Sequence, residues 1–366
     1  MAQKPSLPAD IRAVAQRAEV SIATVSRVIN QVSTVDPKLA ERVKRAVLEL
    51  RYTPNTQARG LVSGRSRMIG LIVSEITNPF FPELIQNFED SAVRRGYEIL
   101  IGSTNYSTER MAQCVRRMVE RKVEGVAVMT FGMDEDLLQE LTQLGIPVVS
   151  VGATQKLVHA TSLVVDYSQG INEAVQHLAV LGHRKICFIA GPLKVRSAKL
   201  RERAFVAAME QIGVKVTPDS ILEGDHTMEG GFAAAELLFQ RAEIPTAILC
   251  SNDMTAIGVL HAVSDRGMRV PENISIIGFD DIHMAQFTVP PLTSIRMAGS
   301  DLATAALDAL LATMSGSATN MVKHPSRIPT RLIVRQTSGY PRTETSESLS
   351  QVLAQRVPQK RSARSA

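Results

Sequence analysis

Ile22, Ala23, Ser26, Arg27 and Asn30 share one side of a helical repeat, opposite Val25, Val28 and Ile29. A short helix whose open face carries an arginine, small apolar groups and polar side chains can enter a DNA major groove, where every base pair shows its own pattern of donors, acceptors and methyl groups. The stretch that carries this face is DIRAVAQRAEVSIATVSRVIN, Asp10 to Asn30. Asp10 and Ser21 are short polar residues suited to capping two successive helix starts, where backbone amides lack partners. Ile11, Val14, Ala15 and Ala18 form an apolar stripe on the first helix. The pattern predicts helix, tight turn, helix, with the second helix presented to DNA.

A third helix is predicted after it. Asp36 caps it, Pro37 occupies its first turn, and Leu39, Val43, Ala46, Val47 and Leu50 supply a buried stripe that closes a three-helix core. Tyr52-Thr53-Pro54 breaks the chain, and NTQARGL, Asn55 to Leu61, is a helix candidate too short to be stable alone in water. Charge follows the same division. Residues 1–67 hold twelve Lys/Arg against five acids, a net of +7, whereas the whole 366-residue chain is only +5, leaving −2 on the remainder. A basic segment on a near-neutral body indicates phosphate contact through that segment.

Other classes are set aside on the same sequence. The N-terminus lacks the apolar run of a secretory signal, and no stretch approaches the roughly 20 apolar residues of a membrane span, so a cytoplasmic protein is expected. Cys114, Cys187 and Cys250 are scattered, which reads as small buried hydrophobes in a reducing compartment. His177 and His183 flank a Leu-rich helix end without a set of cysteine partners, and neither a metal site nor a cofactor is expected. There is no phosphate-binding loop, nucleophile elbow or dinucleotide-binding glycine loop, so an enzyme on an α/β scaffold is disfavoured and no catalytic residue is assigned. A transport or sensing protein would carry a signal peptide in place of the helix-turn-helix.

From Met68 onward apolar runs alternate with amphipathic helices. The runs are Ile69–Val73, Tyr97–Ile101, Val123–Met129, Pro147–Val151, Ser162–Val165, Lys185–Ala190, Ala247–Cys250 and Ile274–Gly278. Between them lie helical stretches such as Phe81–Gly96, Ser107–Arg121, Ser168–Leu181, Lys199–Ile212, Gly230–Gln240 and Met254–Arg266. This alternation predicts parallel sheets covered on both faces. The number of elements favours two doubly wound subdomains with a ligand cleft at the carboxyl ends of their strands. The expected organisation is a headpiece at 8–53, a hinge helix and linker at 54–67, a core for effector binding and dimerisation at 68–341, and a Ser/Thr/Gln/Arg-rich, disordered tail at 342–366.

Taken in order, these motifs resemble the lactose-repressor/galactose-repressor (LacI/GalR) family of bacterial transcription regulators over roughly residues 10–340. DIRAVAQRAEVSIATVSRVIN resembles its helix-turn-helix and RYTPNTQARGLVSGRS its hinge. ITNPFF, GHRKICFIAGP, SNDMTAIGVL, RVPENISIIGFDDI and PPLTSIR follow in the order of its periplasmic-binding-protein-like core. The resemblance implies that Ile22, Ala23 and Arg27 read bases. Arginine suits a guanine edge, and the two apolar side chains suit a thymine methyl. Ser21, Thr24, Ser26 and Asn30 then serve phosphates or caps. It also implies that Leu61 wedges into the minor groove at the operator centre, beside Asn55 and Ala58. Glu19 stands where the family usually has glycine; a side chain in a left-handed turn costs about 1 kcal/mol. Gly60 lowers the intrinsic helicity of the hinge by about as much.

For the cleft, the resemblance implies a lining of Phe80, Phe81, Asp166, Val195, Ser197, Arg201, Asn252 and Asp280. Asp280 and Arg201 are able to grip vicinal hydroxyls, and Asn252 both donates and accepts. Asp280 and Asp281 read equally as caps of a following helix, and Arg201 as a surface charge. The absence of tryptophan removes a tryptophan stacking platform. Lys194, Arg196 and Lys199 beside the cleft loop favour an anionic ligand unless solvated. The expected effector is a sugar, sugar acid or sugar phosphate, with a purine second because Phe81 is able to stack a base. The expected function is a homodimeric or larger repressor on a palindromic operator, released by its effector.

Overall fold

The computed structural model describes residues 9–29, 34–53, 65–130, 135–151, 160–316 and 327–341. The chain divides into two compact units, Met1–Ser66 and Arg67–Ala366.

The first unit contains three helices, α1 (Ile11–Ala18), α2 (Ile22–Ile29) and α3 (Pro37–Glu49). Its core is Val14, Ala15 and Ala18 from α1, Val25 from α2, and Val43 and Ala46 from α3. The expected caps are in place. Asp10 accepts from the Ala13 N–H at 2.8 Å, Ser21 from Thr24 at 3.1 Å, and Asp36 from Lys38 at 2.8 Å and Leu39 at 3.3 Å. Glu19 takes the left-handed conformation, φ 52° and ψ 49°, despite its side chain. Arg42 of α3 donates to its carboxylate at 2.9 Å and to its carbonyl at 3.3 Å, which ties the turn to the third helix.

In the second unit, strands and helices alternate: β1 (Met68–Val73), α4 (Phe80–Arg94), β2 (Glu98–Ser103), α5 (Thr108–Glu120), β3 (Val126–Met129), α6 (Glu135–Gln143), β4 (Val148–Val151) and β5 (Ala160–Asp166). The order continues with α7 (Tyr167–Val180), β6 (Ile186–Ala190), α8 (Arg196–Gln211), β7 (Ile221–Glu223), α9 (Met228–Phe239), β8 (Ala247–Cys250), α10 (Asp253–Asp265) and β9 (Ser275–Asp280). It closes with β10 (Thr293–Met297), α11 (Gly299–Met314) and β11 (Arg327–Ile333). The described strands join in the order β2-β1-β3-β4-β5-β11-β10-β9-β8-β6-β7. Strands β3, β4, β6, β8 and β9 are buried along their whole length, as sheets covered on both faces require.

One pairing departs from the all-parallel expectation. Strand β11 runs parallel to β5 through Arg327–Pro329 and antiparallel to β10 through Thr330–Ile333. Asp166, the last residue of β5, lies opposite Pro329, and Met297, the last of β10, lies opposite Thr330. The carboxyl ends of the two halves therefore point toward each other across the middle of β11. Helix α11 follows β10 in sequence but packs on α4 and on β3, β4 and β5, so the chain crosses back to the first half. Strands β7, β10 and β11 are absent from the sequence-based runs, because a three-residue strand and strands with mixed polar residues show no continuous apolar signal.

Helices α9 and α10 cross at two glycines. A Cβ at Gly231 would collide with the Thr255 carbonyl oxygen, and one at Gly258 with the Met228 carbonyl oxygen. Both obstacles are backbone, which cannot rotate away. Gly258→Ala is expected to lower stability by about 1–3 kcal/mol, as overpacking a tight contact does; urea unfolding checks this, and a wild-type midpoint would show that the helices separate freely.

Candidate effector cleft and DNA-reading face

The facing carboxyl ends enclose about 350 Å³ of empty space continuous with solvent. Seven of the eight residues assigned to the cleft line it. Phe80 and Phe81 come from the start of α4, Val195 and Ser197 from the start of α8, Arg201 from one turn further, Asn252 from the end of β8 and Asp280 from the end of β9. Asp166 is not among the lining residues. Its carboxylate caps α7 by accepting from the Gln169 N–H at 3.2 Å and pairs with Arg327 at 3.6 Å. Lys194 and Lys199 are exposed, and they and Arg196 are not among the lining residues either.

Arg201 is 5% exposed and Asp280 6%. The guanidinium lies 4.2 Å from the Phe279 ring centroid and 5.1 Å from that of Tyr167, so its charge rests on two aromatic faces. Its Nη1 donates to the Ser251 carbonyl at 2.7 Å, its Nη2 stands 3.7 Å from Asp280 Oδ1, and its Nε has no partner. Burial pushes the Asp280 carboxyl up to about 7; Arg201 opposes the rise, and the carboxylates of Glu75 and Glu83 add to it. Burial also raises Glu75.

The two acids of the GFDD run are distinguished by their surroundings. Asp281 turns away from the cavity and pairs with Arg296 at 2.6 Å and Arg335 at 2.6 Å. Neither acid caps a helix, and Arg201 is not a surface charge. Asn252 lines the cavity with its polar atoms engaged: Oδ1 accepts from Thr255 at 2.8 Å, capping α10, and Nδ2 donates to the His226 carbonyl at 2.9 Å. Asp253, wholly buried, accepts from Ile282 at 2.8 Å and Ser294 at 2.5 Å, and so fixes the corner from which Asp280 projects.

Sequence reasoning missed Ser74, Asn78, Tyr106, His226 and Met297, which also line the cavity. Each follows or ends a strand or opens a helix, so the signal was position after a strand rather than residue type. Tyr106, His226 and Asp280 have positive φ of 55°, 69° and 107°. Such conformations are costly for residues with side chains and collect where a site must be held in one shape. Orphaned buried polar atoms collect here too: Arg201 Nε and His226 Nε2 belong to lining residues.

In the first unit, Ser21, Ala23 and Arg27 are exposed, and Ile22 is 46% exposed rather than packed on α3. Ser21 and Thr24 share a hydrogen bond between hydroxyls at 2.9 Å, so both serve the cap of α2. Ser26 is half-buried beside this face. Asn30, Asn55, Ala58 and Leu61 lie outside the described residues. Among the described residues, no group of three or more His, Cys, Asp or Glu is placed to hold a metal, and no helix is long and apolar enough to cross a membrane.

Residues 10–55 match the family model for bacterial regulatory proteins of the lacI family, and 175–338 that for a periplasmic binding protein-like domain. The HTH-type transcriptional repressor PurR of Pasteurella multocida is 35% identical over 82% of this chain and 91% of its own length. Catabolite control protein A of Priestia megaterium is 33% identical over 87% of this chain and 97% of its own. A lac repressor dimer bound to operator and the anti-inducer ONPF superposes with TM-score 0.81 at 28% identity, covering 91% of this chain and all of that one. The regulator CelR in complex with cellobiose superposes at TM-score 0.67 and 28% identity, covering 90% of this chain and all of that one.

The raised Asp280 carboxyl fixes a pH dependence. Its folded value, about 7, lies above the ordinary 3.8, so its contribution is complete below pH 3.8 and is lost as pH rises through 7. Asp280→Asn removes the penalty of ionising a buried acid. The difference in melting temperature, variant minus wild type, should therefore increase between pH 5 and pH 8; a pH-independent difference would contradict this environment for Asp280.

Proposed function

The chain belongs to the lacI family of bacterial regulatory proteins, and from that premise we propose that it is a repressor whose hold on operator DNA is set by an uncharged carbohydrate bound beside Arg201 and Asp280. The observation that carries the ligand class is the charge around the cavity. Among the described lining residues the cation is Arg201, and it faces Asp280, with Glu75 and Glu83 close enough to raise that carboxyl. A sugar acid or phosphate would add negative charge to this set, whereas neutral hydroxyls donate to the carboxylate and accept from the guanidinium. Lys194 and Lys199 are exposed and outside the lining, and Arg196, half-buried, lies outside it too. Phe80 and Phe81 are 4% and 3% exposed and pack edge to face, leaving little ring surface for stacking a purine. The cellobiose complex of a structural neighbour supports a carbohydrate.

On the DNA side, Arg27 reads a guanine edge while Ile22 and Ala23 approach thymine methyls, with Ser21, Thr24, Ser26 and Asn30 at the backbone. Leu61 is the minor-groove wedge, with Asn55 and Ala58 beside it. The curated relatives are transcriptional regulators, and we assign this chain no enzymatic role. Its place of action is the bacterial cytoplasm, where the DNA is. Two chains pair to bring two readers onto a palindromic operator, as the lac repressor dimer does on its own. The exposed apolar run Met284, Phe287 and Val289 after β9, 52%, 69% and 94% exposed, supports a pairing surface on the core. The effector releases the operator by binding one arrangement of the core better than the other, and shifts affinity by no more than that difference.

Fluorescence anisotropy on a labelled operator tests this reading. A neutral sugar is expected to weaken operator binding by wild type, and Asp280→Ala to lose that response; a response to sugar phosphates alone would overturn the ligand class. Arg27→Ala should cost about 1–3 kcal/mol on the specific site and relax one base position, and an unchanged base preference would remove it from the reading face. Phe287→Glu is expected to shift the protein from dimer to monomer in analytical ultracentrifugation, and an intact dimer would place the pairing surface elsewhere.

A further inference from the structure

Strands β2, β1, β3 and β4 of the first half-sheet all run the same way. Their amino ends and the carboxyl ends of α4, α5 and α6 therefore share one rim, on the side away from the cavity. The chain enters this rim at Arg67. Its N–H donates to the Glu124 carboxylate at 2.8 Å, its carbonyl accepts from the Glu98 N–H at 2.9 Å, and its guanidinium stands 5.6 Å from the Tyr97 ring centroid. Arg94, Arg121 and Lys122 lie on the same rim at the ends of α4 and α5. All three are exposed, and none forms an ion pair among the described residues. Arg95 beside them is paired with Asp308. The acids of the rim are Glu98, Glu120 and Glu124, the last engaged with Arg67.

Lys122 is the informative residue. It follows the last turn of α5 with φ 53°, donating to the Val119 carbonyl at 3.0 Å while Val123 donates to that of Met118 at 3.2 Å. This left-handed ending suits glycine. Helices α4 and α6 on the same rim close with it at Gly96 and Gly145, φ 77° and 73°. The described helices that close this way elsewhere in the core use Gly182, Gly213, Gly267 and Gly316. A lysine in this conformation is strained where glycine is at ease. Cations at a helix end also answer the helix dipole, but Arg121 already serves that end, and the dipole gives no reason to put a side chain on the left-handed residue.

We propose that this rim of the core is a second DNA contact, in which Arg94, Arg121 and Lys122 meet backbone phosphates of the operator duplex. The inference rests on the repressor reading and goes beyond it by giving the core, and not the headpiece and hinge alone, a hold on DNA. Chain length brings the rim there. Leu61, the minor-groove wedge, precedes Arg67 by six residues, which span at most about 20 Å when fully extended. With Leu61 in the groove, the duplex lies within that distance of Arg67, and attraction between charges acts across a further 8–10 Å or so of salt solution. Residues 68–366 carry a net charge of −2, so unpaired cations at the rim the hinge enters do not reflect a generally basic core. Phosphates carry no sequence information, so this contact adds affinity and salt dependence without base preference.

Fluorescence anisotropy tests this with the full-length protein and a labelled palindromic duplex that wild type selects from a random pool, between about 50 and 200 mM salt. Each phosphate contact adds about −0.9 to the slope of log K against log salt concentration. Lys122→Gly should therefore make the slope shallower by about 2 in a dimer, one contact from each chain, with base preference unchanged. The same variant should melt no lower than wild type, because glycine relieves the left-handed turn. Lys215→Gly removes an equal charge from an exposed position after α8 and should keep the wild-type slope. An unchanged slope in Lys122→Gly, whatever its affinity, would overturn the phosphate contact and leave the repressor reading standing. An equal change in Lys215→Gly would also overturn it, as an effect of net charge alone. Should Lys122→Gly fail to fold, the slope of Arg121→Gln decides in the same way. Failure of wild type to select any duplex would overturn both readings.

Discussion

Strand β11 hydrogen-bonds to β5 with its first three residues and to β10 with the rest, and this change of partner at Pro329–Thr330 sets the geometry of the core. Each half-sheet is parallel within itself, so all its strand ends and helix starts collect on one side. Because β11 runs with β5 and against β10, those two sides face each other. The loops after β1, β2, β6, β7, β8 and β9 are thereby gathered around one cavity, although they come from residues spread from Ser74 to Met297. The side chain of Thr330, at the crossing, accepts from the Gly170 N–H at 2.9 Å and donates to the Asp166 carbonyl at 2.6 Å, which locks the crossing to α7. Gly170 admits no Cβ there, since one would collide with Ile295.

Within that cavity the decisive feature is a cation and an anion removed from water without a tight bond between them. At 3.7 Å, Arg201 and Asp280 attract but do not satisfy each other, and desolvation outweighs attraction for the acid. The aromatic faces of Phe279 and Tyr167 and the Ser251 carbonyl support the guanidinium. Such a pair retains unused hydrogen-bonding capacity that a polyhydroxylated ligand can take up. The strained backbones of Tyr106, His226 and Asp280 show the same allocation: local stability is given up to hold polar groups where packing alone would not put them.

The headpiece works by the opposite economy. Its core is small, six buried side chains among the described residues, and each described helix start is capped by its own sequence. The unusual element is Glu19, which adopts the left-handed turn that a glycine would take at no cost, and recovers contact through Arg42 on α3. With the turn tied to α3, the outer face of α2 stays open, and Ile22 remains half exposed instead of joining the core.

What the sequence determined by itself is what short-range chemistry encodes. The caps at Asp10, Ser21 and Asp36, the 3.6-residue stripes of the headpiece and the apolar runs of β1 to β6, β8 and β9 all act within a few residues, so they were legible in order and near their true bounds. The three remaining strands were not, because β7 spans only Ile221–Glu223 and β10 and β11 mix polar with apolar residues. Resemblance carried Arg201, Asn252 and Asp280 to the cleft, but the residues alone left both paired acids open as helix caps, and only the tertiary structure shows what holds each of them. Asp280 is free of the two arginines that hold Asp281, Arg296 on β10 and Arg335 just after β11. Asp166 went the other way, spent on capping α7 and pairing with Arg327. His226 and Tyr106 stood in no motif, and a positive φ on a residue with a side chain leaves no mark in sequence. Their roles exist only because β11 brings the ends of two sheets together.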